Sequence, residues 1–328
     1  MGGYLKSTGH KLLLVLPAIL WWGCSSAEPE VALDLHWQPL TESNAQLPPG
    51  IRVFAGVNRL LPLRAWYVEV DELSPEIETT VVMAAGEKRR ETVSSMAARL
   101  NASIVVNGGY YRMDLNPTKH VGLLMIDSVV IQPNITAVTR SERRFPLARA
   151  AVGFTAGGVI DVAWVFNRGD SLLEVSRPPA HLPGQPDTGS TTFTKGRFWP
   201  VRAALGGGPS LVSNGKVQVT ADEEVFFGTS IPKVHPRTAC GYTAEGKLIL
   251  LVVDGRQEAS RGVNLAELAL IMQQLGCVEA LNLDGGGSST LVAGGRLINR
   301  PEGGRAERQV MSALAVSYEA AQPSGYAE

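Results

Sequence analysis

The chain of 328 residues is long enough for one large domain or two small ones, and its 45% hydrophobic content is sufficient for a packed core. Its 30 Lys and Arg against 31 Asp and Glu leave a net charge of -1, which argues against nucleic-acid binding because such proteins usually carry a basic excess. The 35 glycines, about one residue in ten, favour a β-rich fold with many tight turns.

The first residues of the chain have the pattern of an export signal. Lys6 and Lys11 form a positively charged segment before a short apolar run over residues 12–20. This run is shorter than the roughly 20 residues of a membrane-spanning helix. Cys24 follows Gly23, and a small residue before a cysteine is typical of a bacterial lipoprotein signal. We therefore predict lipidation of Cys24 and an exported, membrane-anchored lipoprotein that faces the periplasm or the outside of a bacterial cell. Cleavage of an ordinary signal peptide nearby is the alternative.

This interpretation divides the chain into four segments. Folded sequence is predicted to begin near Val31, after a short polar stretch. The segments are a lipoprotein-type signal peptide over residues 1–23, a tether over 24–30, a catalytic domain over 31–320 and a tail over 321–328.

Two cysteines, Cys240 and Cys277, remain in the predicted domain. In an oxidising compartment they could form a disulfide, but the sequence does not show whether their Cα atoms come close enough. Two buried free thiols are the alternative. The sequence has no CxxC or His/Cys cluster of the kind that holds structural zinc.

The first half of the domain contains a strand and then a helix–strand pair. Residues 64–70 are rich in β-branched and aromatic side chains and predict a strand. Thr92 has the features of an N-cap, and the helix after it would have one apolar face. A buried strand over 103–106 follows and leads into an Asn-Gly-Gly turn that begins at Asn107. The apolar face of the helix carries Val93, Met96, Ala97 and Leu100.

The second half contains a similar pair. A helix is predicted to begin at Asn264, with Glu267 as its capping-box partner, and to end at Gly276. A strand over 280–283 follows and leads into an Asp-Gly-Gly turn that begins at Asp284. The apolar face of this helix carries Leu265, Leu268, Met272 and Leu275.

Both halves continue with a predicted hairpin, over 123–129 and over 290–296, and the strand patterns over 149–155 and 237–243 are also alike. An internal duplication and the chance recurrence of short motifs both account for these likenesses. We predict an α+β fold, in which a single intertwined domain contains twisted mixed β-sheets and a few packed helices.

A long loop is predicted over residues 176–200, which are rich in Pro, Gly, Ser and Thr. Long loops of this composition in compact domains are usually functional, and this one is the best candidate for a mobile loop over a site.

Three polar loops follow predicted apolar strands and begin at Asn107, Asp254 and Asp284. Ligands collect at strand ends, because the scaffold there is rigid and the loops are free to vary. In the third loop, consecutive glycines would let backbone N–H groups turn inward and hold an anion, and Ser288 and Ser289 would add hydroxyl donors.

Charged residues near these loops suggest chemical roles. Arg237 and Arg256 can donate charge-assisted hydrogen bonds to a phosphate, and Asp254 and Asp284 can act as general base or nucleophile. His235 can orient a substrate group or make a structural hydrogen bond. Each feature alone also has an ordinary structural explanation as a tight turn or a solvated charge. The sequence contains no GxSxG, HExxH or GxxxxGK[ST] pattern, which removes several common hydrolase and NTPase classes.

Five motifs together resemble a known family, and they are Asn107-Gly108-Gly109-Tyr110-Tyr111, Gly206-Gly207-Gly208-Pro209, His235-Pro236-Arg237-Thr238-Ala239, Asp254-Gly255-Arg256 and Asn282-Leu283-Asp284-Gly285-Gly286-Gly287-Ser288-Ser289-Thr290. In this order they resemble the phosphodiester glycosidase family, which has lysosomal members and bacterial members associated with exopolysaccharide. The resemblance covers roughly residues 31–316.

The resemblance implies a hydrolase that cleaves a sugar from a sugar-1-phosphodiester, in the cell envelope or on exported glycans, and leaves a phosphomonoester. It implies Asp254, Asp284 and Asn107 as candidate catalytic residues, without showing which aspartate attacks or activates water. No cofactor is required, and the expected partners are a glycan or sugar phosphodiester and, through the lipid, a membrane. The candidate substrate-binding residues are Arg237, Arg256, Gly207, Gly208, Asn282, Gly285, Gly286, Gly287, Ser288, Ser289, Arg308 and His235.

Two alternatives stay open at the level of the sequence. A non-catalytic envelope protein could use the glycine-rich loop to bind an anion or glycan. A metal-assisted phosphodiesterase would cut the P–O bond instead, with Ca²⁺ held by Asp254, Asn282 and Asp284. Because no histidine stands among these three, zinc is the less suitable metal.

Overall fold

Strands dominate the structure, as the many glycines and the β-branched and aromatic runs indicate. The structure is a computed structural model, and it describes residues 1–3, 33–169, 171–178, 181, 195–304 and 306–320. The predicted signal peptide beyond residue 3, Cys24, the tether and the C-terminal tail lie outside the described residues, as does most of the predicted loop over 176–200.

Short strands follow one another along the described residues, with few helices between them. The first strands are β1 (His36–Pro39), β2 (Ile51–Val57), β3 (Arg64–Asp71), β4 (Ile77–Met83), β5 (Ile104–Asn107), β6 (Tyr111–Arg112), β7 (Lys119–His120), β8 (Leu124–Ile126), β9 (Val129–Gln132), β10 (Ala137–Arg140), β11 (Arg143–Pro146) and β12 (Arg149–Phe154). The remaining strands are β13 (Ile160–Arg168), β14 (Ser171–Val175), β15 (Arg197–Phe198), β16 (Ala203–Gly206), β17 (Ser210–Ser213), β18 (Lys216–Val217), β19 (Arg237–Thr243), β20 (Lys247–Val253), β21 (Cys277–Asn282), β22 (Leu291–Ala293), β23 (Arg296–Leu297) and β24 (Ser312–Tyr318). The helices are α1 (Thr41–Asn44), α2 (Val93–Leu100) and α3 (Leu265–Gln274), with a single 3-10 turn at Gly286–Ser288.

Three large sheets are built from these strands. The eight-stranded sheet has the order β1-β2-β3-β20-β19-β21-β17-β18, the seven-stranded sheet β15-β14-β13-β12-β16-β8-β9 and the five-stranded sheet β23-β22-β5-β24-β4. The pairs β10-β11 and β6-β7 form separate ribbons.

Every strand pairing in the described residues is antiparallel. The predicted mixed sheets are therefore wrong. Mixed sheets would contain some parallel pairs, but α2 and α3 lead into strands whose neighbours run in the opposite direction. The fold is mostly β with few helices, and the predicted α+β class is right only in that these few helices pack on the sheets.

The two longer helices begin where their capping residues predicted. Thr92 Oγ1 accepts a hydrogen bond from Ser95 N at 3.2 Å, at the start of α2. At α3, Asn264 Oδ1 accepts from Glu267 N at 2.9 Å and Glu267 Oε2 accepts from Asn264 N at 2.8 Å, so the capping box is confirmed. Such caps satisfy backbone N–H groups that the helix itself leaves unpaired.

Both predicted hairpins are also confirmed, as β8–β9 and β22–β23. Their turns contain consecutive residues with positive φ, at Asp127-Ser128 and at Gly294-Gly295. That conformation suits the twist of a tight hairpin.

The two halves of the sequence pattern are distributed over different sheets. In the first half, β5 lies in the five-stranded sheet, whereas β8, β9 and β12 lie in the seven-stranded sheet. In the second half, β21 and β19 lie in the eight-stranded sheet, whereas β22 and β23 pair onto β5 from the first half. The chain is intertwined as predicted. The two halves do not occupy equivalent positions in the sheets, and internal duplication stays a prediction.

Alternating side chains on the central strands connect the layers. On β20, Leu248 and Leu250 join the core that the three sheets share, while Ile249 and Leu251, on the opposite face, belong to the cluster that contains the buried face of α3. On β5, Val106 lies in the shared core and Val105 packs with α2. Full burial of such side chains contributes about 1.5–3 kcal/mol each. The strands that carry Asn107 and Asp254 at their ends are therefore rigid.

The cysteines Cys240 and Cys277 are both buried and free in the structure. Burial raises the pKa of each thiol, to about 12 for Cys277. The alternative of two buried thiols is therefore the one that the structure supports. Among the described residues, no helix has the length and apolar content needed to cross a bilayer.

Candidate active site

The Asn107 side chain joins the loop that begins at Asp284 to strand β19. Asn107 is fully buried at the end of β5, and its Nδ2 donates to the backbone oxygen of Asp284 at 2.7 Å. Its Oδ1 accepts from Thr238 Oγ1 at 2.6 Å and from Thr290 N at 3.0 Å. Because protein groups occupy both ends of this amide, the contacts assign Asn107 a positioning role, and its predicted part in catalysis stays a prediction.

The glycine-rich loop after β21 forms the 3-10 turn at Gly286–Ser288. Gly286 has a φ of 62°, and a Cβ placed on it would lie 3.3 Å from Arg256 Nη1. Gly286 N donates to Pro236 O at 2.9 Å, Ser288 N to Gly285 O at 3.2 Å and Ser289 N to Gly286 O at 3.1 Å. These three amides are used within the protein, and Gly286 and Gly287 leave room for the guanidinium groups of Arg256 and Arg308. An anion held by the glycine amides stays a prediction.

Asp284 begins this loop and is partly exposed to solvent. Burial of the carboxyl raises its pKa to about 6, while hydrogen bonds from Ser288 and from the Gly285 amide, together with the charge of Arg308, oppose the shift. The Ser288 hydroxyl also lies 3.5 Å from the Tyr111 hydroxyl. Asp284 is thus a partly exposed residue whose carboxylate has a perturbed pKa and is oriented by hydrogen bonds.

Asp254, at the end of β20, lies deeper and is only 4% exposed. Its Oδ1 accepts from Asn299 Nδ2 at 2.8 Å, and the same Nδ2 lies 2.8 Å from Ser289 O. Burial raises the pKa of Asp254 to about 6, with Asn299 as the main opposing group. Asp254 therefore stabilises the glycine-rich loop indirectly, because Asn299 is hydrogen-bonded to both Asp254 and Ser289.

Ser289 and Thr290 are buried, and their hydroxyl oxygens have no hydrogen-bond partner within the described part of the chain. The same is true of Asn282 Oδ1. Buried polar atoms are usually paired, so we expect these three oxygens to accept hydrogen bonds from water or from ligand groups.

Arg256 lies against Gly286 of the glycine-rich loop, with its guanidinium group fixed on two sides. Arg256 Nη2 donates to His235 Nδ1 at 2.9 Å, and Arg256 Nη1 donates to Glu302 Oε1. His235 Nε2 donates to Ser230 O at 2.8 Å, which leaves Nδ1 as the acceptor for the arginine. Burial and the nearby arginines lower the pKa of His235, so the ring is neutral and orients Arg256. Arg308 joins the group, because its Nη2 lies 3.5 Å from Glu302 Oε2.

Arg237 is 3% exposed, and its contacts are to backbone oxygens. Its Nε donates to Val263 O at 3.0 Å, and its Nη2 donates to Ile231 O at 2.7 Å and also to Lys233 O. Burial lowers the pKa of its guanidinium to about 10. The structure thus gives Arg237 a role in fastening the segment 231–235 beside the site, and a direct contact with phosphate stays a prediction.

A hydrogen-bonded group near the glycine-rich loop consists of Tyr110, Asn282 and Gly208. Asn282 Nδ2 donates to Tyr110 OH at 2.7 Å, and Tyr110 OH donates to Gly208 O at 2.8 Å. Gly207 and Gly208 pass close to β21, since Gly208 N donates to Asn282 O at 2.7 Å and a Cβ on Gly207 would lie 2.6 Å from the same oxygen. These two glycines therefore allow close packing of backbones, and their predicted contact with the substrate stays a prediction.

The acidic residues of the site are dispersed. Within the described ranges, no three or more His, Cys, Asp or Glu residues are grouped so that they could hold a metal ion. Asp254 Oδ1 is already paired with Asn299. Calcium binding by Asp254, Asn282 and Asp284 stays a prediction from the sequence.

A model of the family described as phosphodiester glycosidase matches residues 100–317, about two thirds of the chain, and this range contains every site residue described above. The chain belongs to the phosphodiester glycosidase family. The resemblance that the motifs carry is confirmed, and the family is one of glycosidases and therefore of hydrolases.

Relatives with a named activity are similar over most of this chain. N-acetylglucosamine-1-phosphodiester alpha-N-acetylglucosaminidase of Mus musculus is 28% identical over 246 residues, which is 72% of this chain and 42% of the relative. The protein of the same name from Bos taurus is 25% identical over 282 residues, which is 81% of this chain and 46% of the relative. The chain spans less than half the length of these relatives.

Solved structures share the fold. The zebrafish N-acetylglucosamine-1-phosphodiester alpha-N-acetylglucosaminidase catalytic domain, auto-inhibited by its pro-peptide, has a TM-score of 0.58 at 22% identity, over 87% of this chain and 88% of that one. A hypothetical protein from Synechocystis has a TM-score of 0.57 at 19% identity, over 87% of this chain and 68% of that one.

Several residues of this phosphodiester glycosidase site were missed by reasoning from the sequence. Glu302 and Asn299 come from the segment after β23, which has no recognisable motif. Arg149, at the start of β12, is 5% exposed and lies with its guanidinium carbon 4.0 Å from the centre of the Phe226 ring, near Tyr110. Its likeness to Arg237 in the two strand patterns was the one available signal.

Proposed function

We propose that this protein hydrolyses the bond between a sugar and the phosphate of a sugar-1-phosphodiester, and releases the free sugar and a phosphomonoester. The observation that carries the proposal is the position of Asp284, a partly exposed carboxylate with a raised pKa, on the same glycine-rich turn that Arg256 and Arg308 contact. This reaction needs a carboxylate at the sugar carbon and positively charged donors at the leaving phosphate.

Asp284 is the proposed base or nucleophile at the sugar carbon. In the net reaction, water adds its oxygen to the anomeric carbon, the bond from this carbon to the phosphate oxygen breaks, and one proton of the water is released. With a pKa of about 6, the carboxyl is mostly ionised near neutral pH and can accept that proton. Ser288 and the Gly285 amide hold the carboxylate in place.

Arg256 and Arg308 are the proposed groups at the leaving phosphate. A phosphate leaving group is already stable as an anion, so guanidinium donors do more for it than a general acid would. His235 supports Arg256 from behind and lets the guanidinium keep its orientation when the phosphate binds.

The donor sugar is proposed to be an α-linked N-acetylhexosamine, because the mouse and bovine relatives are named for N-acetylglucosamine-1-phosphodiester. The setting is proposed to be the cell envelope or exported glycans, which rests on the signal-like first 24 residues.

A screen of the purified protein against a panel of sugar-1-phosphodiesters in 18O-labelled water tests the proposal. We expect the label in the sugar hydroxyl, because the bond between carbon and oxygen breaks. Label in the phosphate instead would identify a phosphodiesterase that cuts the P–O bond. Binding of substrate without any turnover across the panel would identify a non-catalytic glycan-binding protein.

A further inference from the structure

One carboxylate, that of Glu302, is shared by two arginines beside the proposed site. Its Oε1 accepts from Arg256 Nη1, and its Oε2 lies 3.5 Å from Arg308 Nη2. All three side chains are partly exposed, at 34% for Glu302, 44% for Arg256 and 39% for Arg308. A small ligand can therefore reach this group from solvent.

The group is held against the turn that follows Asp284. A Cβ on Gly286 would lie 3.3 Å from Arg256 Nη1, and a Cβ on Gly287 would lie 2.6 Å from Glu302 Oε2 and would also meet Arg308 Nη2. The charge of Arg308 acts on the Asp284 carboxyl as well. The three charges thus lie beside the glycine turn that begins at Asp284, next to the position proposed for the sugar.

The charge of this group is the sum of two guanidinium cations and one carboxylate, which leaves one positive charge. A phosphodiester carries one negative charge, whereas a phosphomonoester carries about 1.5 to 2 negative charges at neutral pH. The Asp284 carboxylate, on which the charge of Arg308 also acts, lowers the charge around a bound phosphate further, so the site suits a singly charged phosphodiester better than a doubly charged phosphomonoester.

We propose that Glu302 determines specificity at this site, by reducing the charge of the Arg256–Arg308 pair so that it holds a singly charged phosphodiester and releases a doubly charged phosphomonoester. This inference rests on the proposed function for the identity of the two anions. Without Glu302 the pair would carry two positive charges and would retain the product, so Glu302 acts on product release through the arginines and not on the bond that breaks.

Equilibrium binding of two small probes to the full-length protein tests this inference without any turnover. The probes are dimethyl phosphate, with one charge, and methyl phosphate, with two charges at a pH of about 7.5. Loss of a nearby charge acts in proportion to the charge of the ligand. In Glu302→Gln we expect methyl phosphate to bind roughly 10-fold more tightly and dimethyl phosphate roughly 3-fold more tightly, with smaller changes at high salt.

Two further variants separate charge from shape. Glu302→Asp keeps the negative charge on a shorter side chain and should leave the preference between the probes close to that of the wild type. Glu258→Gln removes an exposed carboxylate from the loop that carries Arg256, and in the described residues no arginine is paired with Glu258. It should therefore change neither probe by more than about 2-fold.

Three results would overturn the inference. These are an unchanged preference in Glu302→Gln, the same shift in Glu302→Asp as in Glu302→Gln, and failure of the wild type to bind either probe. A wild type that binds both probes with the expected preference but hydrolyses no sugar phosphodiester would overturn the proposed function and leave the charge-balancing role of Glu302 supported.

Discussion

The side-chain amide of Asn107 lies 2.7 Å from the backbone oxygen of Asp284, and Asp284 N in turn donates to Gly108 O at 3.1 Å. These bonds hold a turn from the five-stranded sheet against a turn from the eight-stranded sheet. The position of the Asp284 carboxylate therefore depends on contacts with a strand that lies 177 residues earlier in the chain.

Asn107→Ala should destabilise the protein and reduce activity as a consequence. The change leaves Thr238 Oγ1, Thr290 N and the Asp284 oxygen without their partner in a buried site, so we expect the free energy of unfolding to fall by about 2–4 kcal/mol. Denaturant unfolding measures this fall. Thr238→Val, which removes one of these contacts, should cost about 1 kcal/mol. Full stability of Asn107→Ala together with lost turnover would favour a direct chemical role for the amide.

Asp284→Asn should lower kcat by about 10²- to 10⁴-fold, the usual contribution of a positioned base, while the fold stays intact. In the wild type, kcat/KM should decrease as the pH falls below about 6, because protonation of Asp284 removes the required ionised form. The pH profile and the thermal unfolding of the variant measure both effects.

Asp254→Asn is the matched comparison for Asp284→Asn. An asparagine at 254 can still accept the hydrogen bond from Asn299 Nδ2, so this variant should keep most of its activity. If Asp254→Asn loses as much turnover as Asp284→Asn, Asp254 takes part in the chemistry and does more than support the loop.

Glu72 provides a test of stability away from the site. It is 6% exposed and accepts a hydrogen bond from Thr79 Oγ1, and burial raises its pKa from 4.5 to about 7. Because the folded state binds this proton more tightly, its contribution to stability is fully present below a pH of about 4.5 and is lost as the pH rises through about 7.

Glu72→Gln keeps an acceptor for Thr79 but carries no charge, so it should remove this part of the pH dependence. At a pH of about 8 the variant should be more stable than the wild type by up to about 3 kcal/mol, and below a pH of about 4.5 the two should be alike. Denaturant unfolding across this pH range gives the difference. A constant difference at every pH would mean that the pKa of Glu72 is the same in the folded and the unfolded protein.

Cys24→Ala tests the proposed lipid anchor. A lipidated cysteine would hold the protein in the membrane fraction of an expressing bacterial cell, and its replacement should move the protein to the soluble fraction. Cys240→Ala, which alters a buried thiol, serves as the control and should leave the distribution unchanged. Membrane association that survives in Cys24→Ala would reject lipidation at this residue.

Local signals in the sequence were sufficient for some elements and insufficient for others. Thr92 and Asn264 predicted where α2 and α3 begin, because a helix cap depends on residues only three positions apart. The pairing of β5 with β22 and β24 was not predictable in the same way, because antiparallel partners can come from any distance along the chain.

The same distinction applies to the site. The Asp-Gly-Gly motif identified Asp284 as a candidate, but the acceptors of Arg237 lie at residues 231, 233 and 263 and no motif marks them. Likewise, no motif marks Glu302, and only its ion pairs with Arg256 and Arg308 identify it as part of the site. Motifs identify polar residues at loops, whereas the direction of a guanidinium group depends on tertiary contacts.

The two arginines Arg256 and Arg237 should respond differently to replacement by lysine, which keeps the charge but loses the planar fork. Arg256 is partly exposed and is proposed to contact the phosphate, where charge-assisted hydrogen bonds are worth about 1.5–3 kcal/mol. Arg256→Lys should therefore lower the rate on a sugar phosphodiester by roughly 10- to 150-fold. The rate on an aryl glycoside, which has no phosphate, should change far less.

Arg237→Lys should instead reduce both rates by similar factors and lower the free energy of unfolding by about 2 kcal/mol, because Arg237 donates to three backbone oxygens that a lysine cannot all reach. Steady-state rates on both substrates and denaturant unfolding of both variants measure the contrast. A selective loss on the phosphodiester in Arg237→Lys, with stability unchanged, would show that Arg237 contacts the phosphate. An equal loss on both substrates in Arg256→Lys would remove Arg256 from the proposed phosphate site, since a group that grips only the leaving phosphate cannot affect a substrate that lacks one.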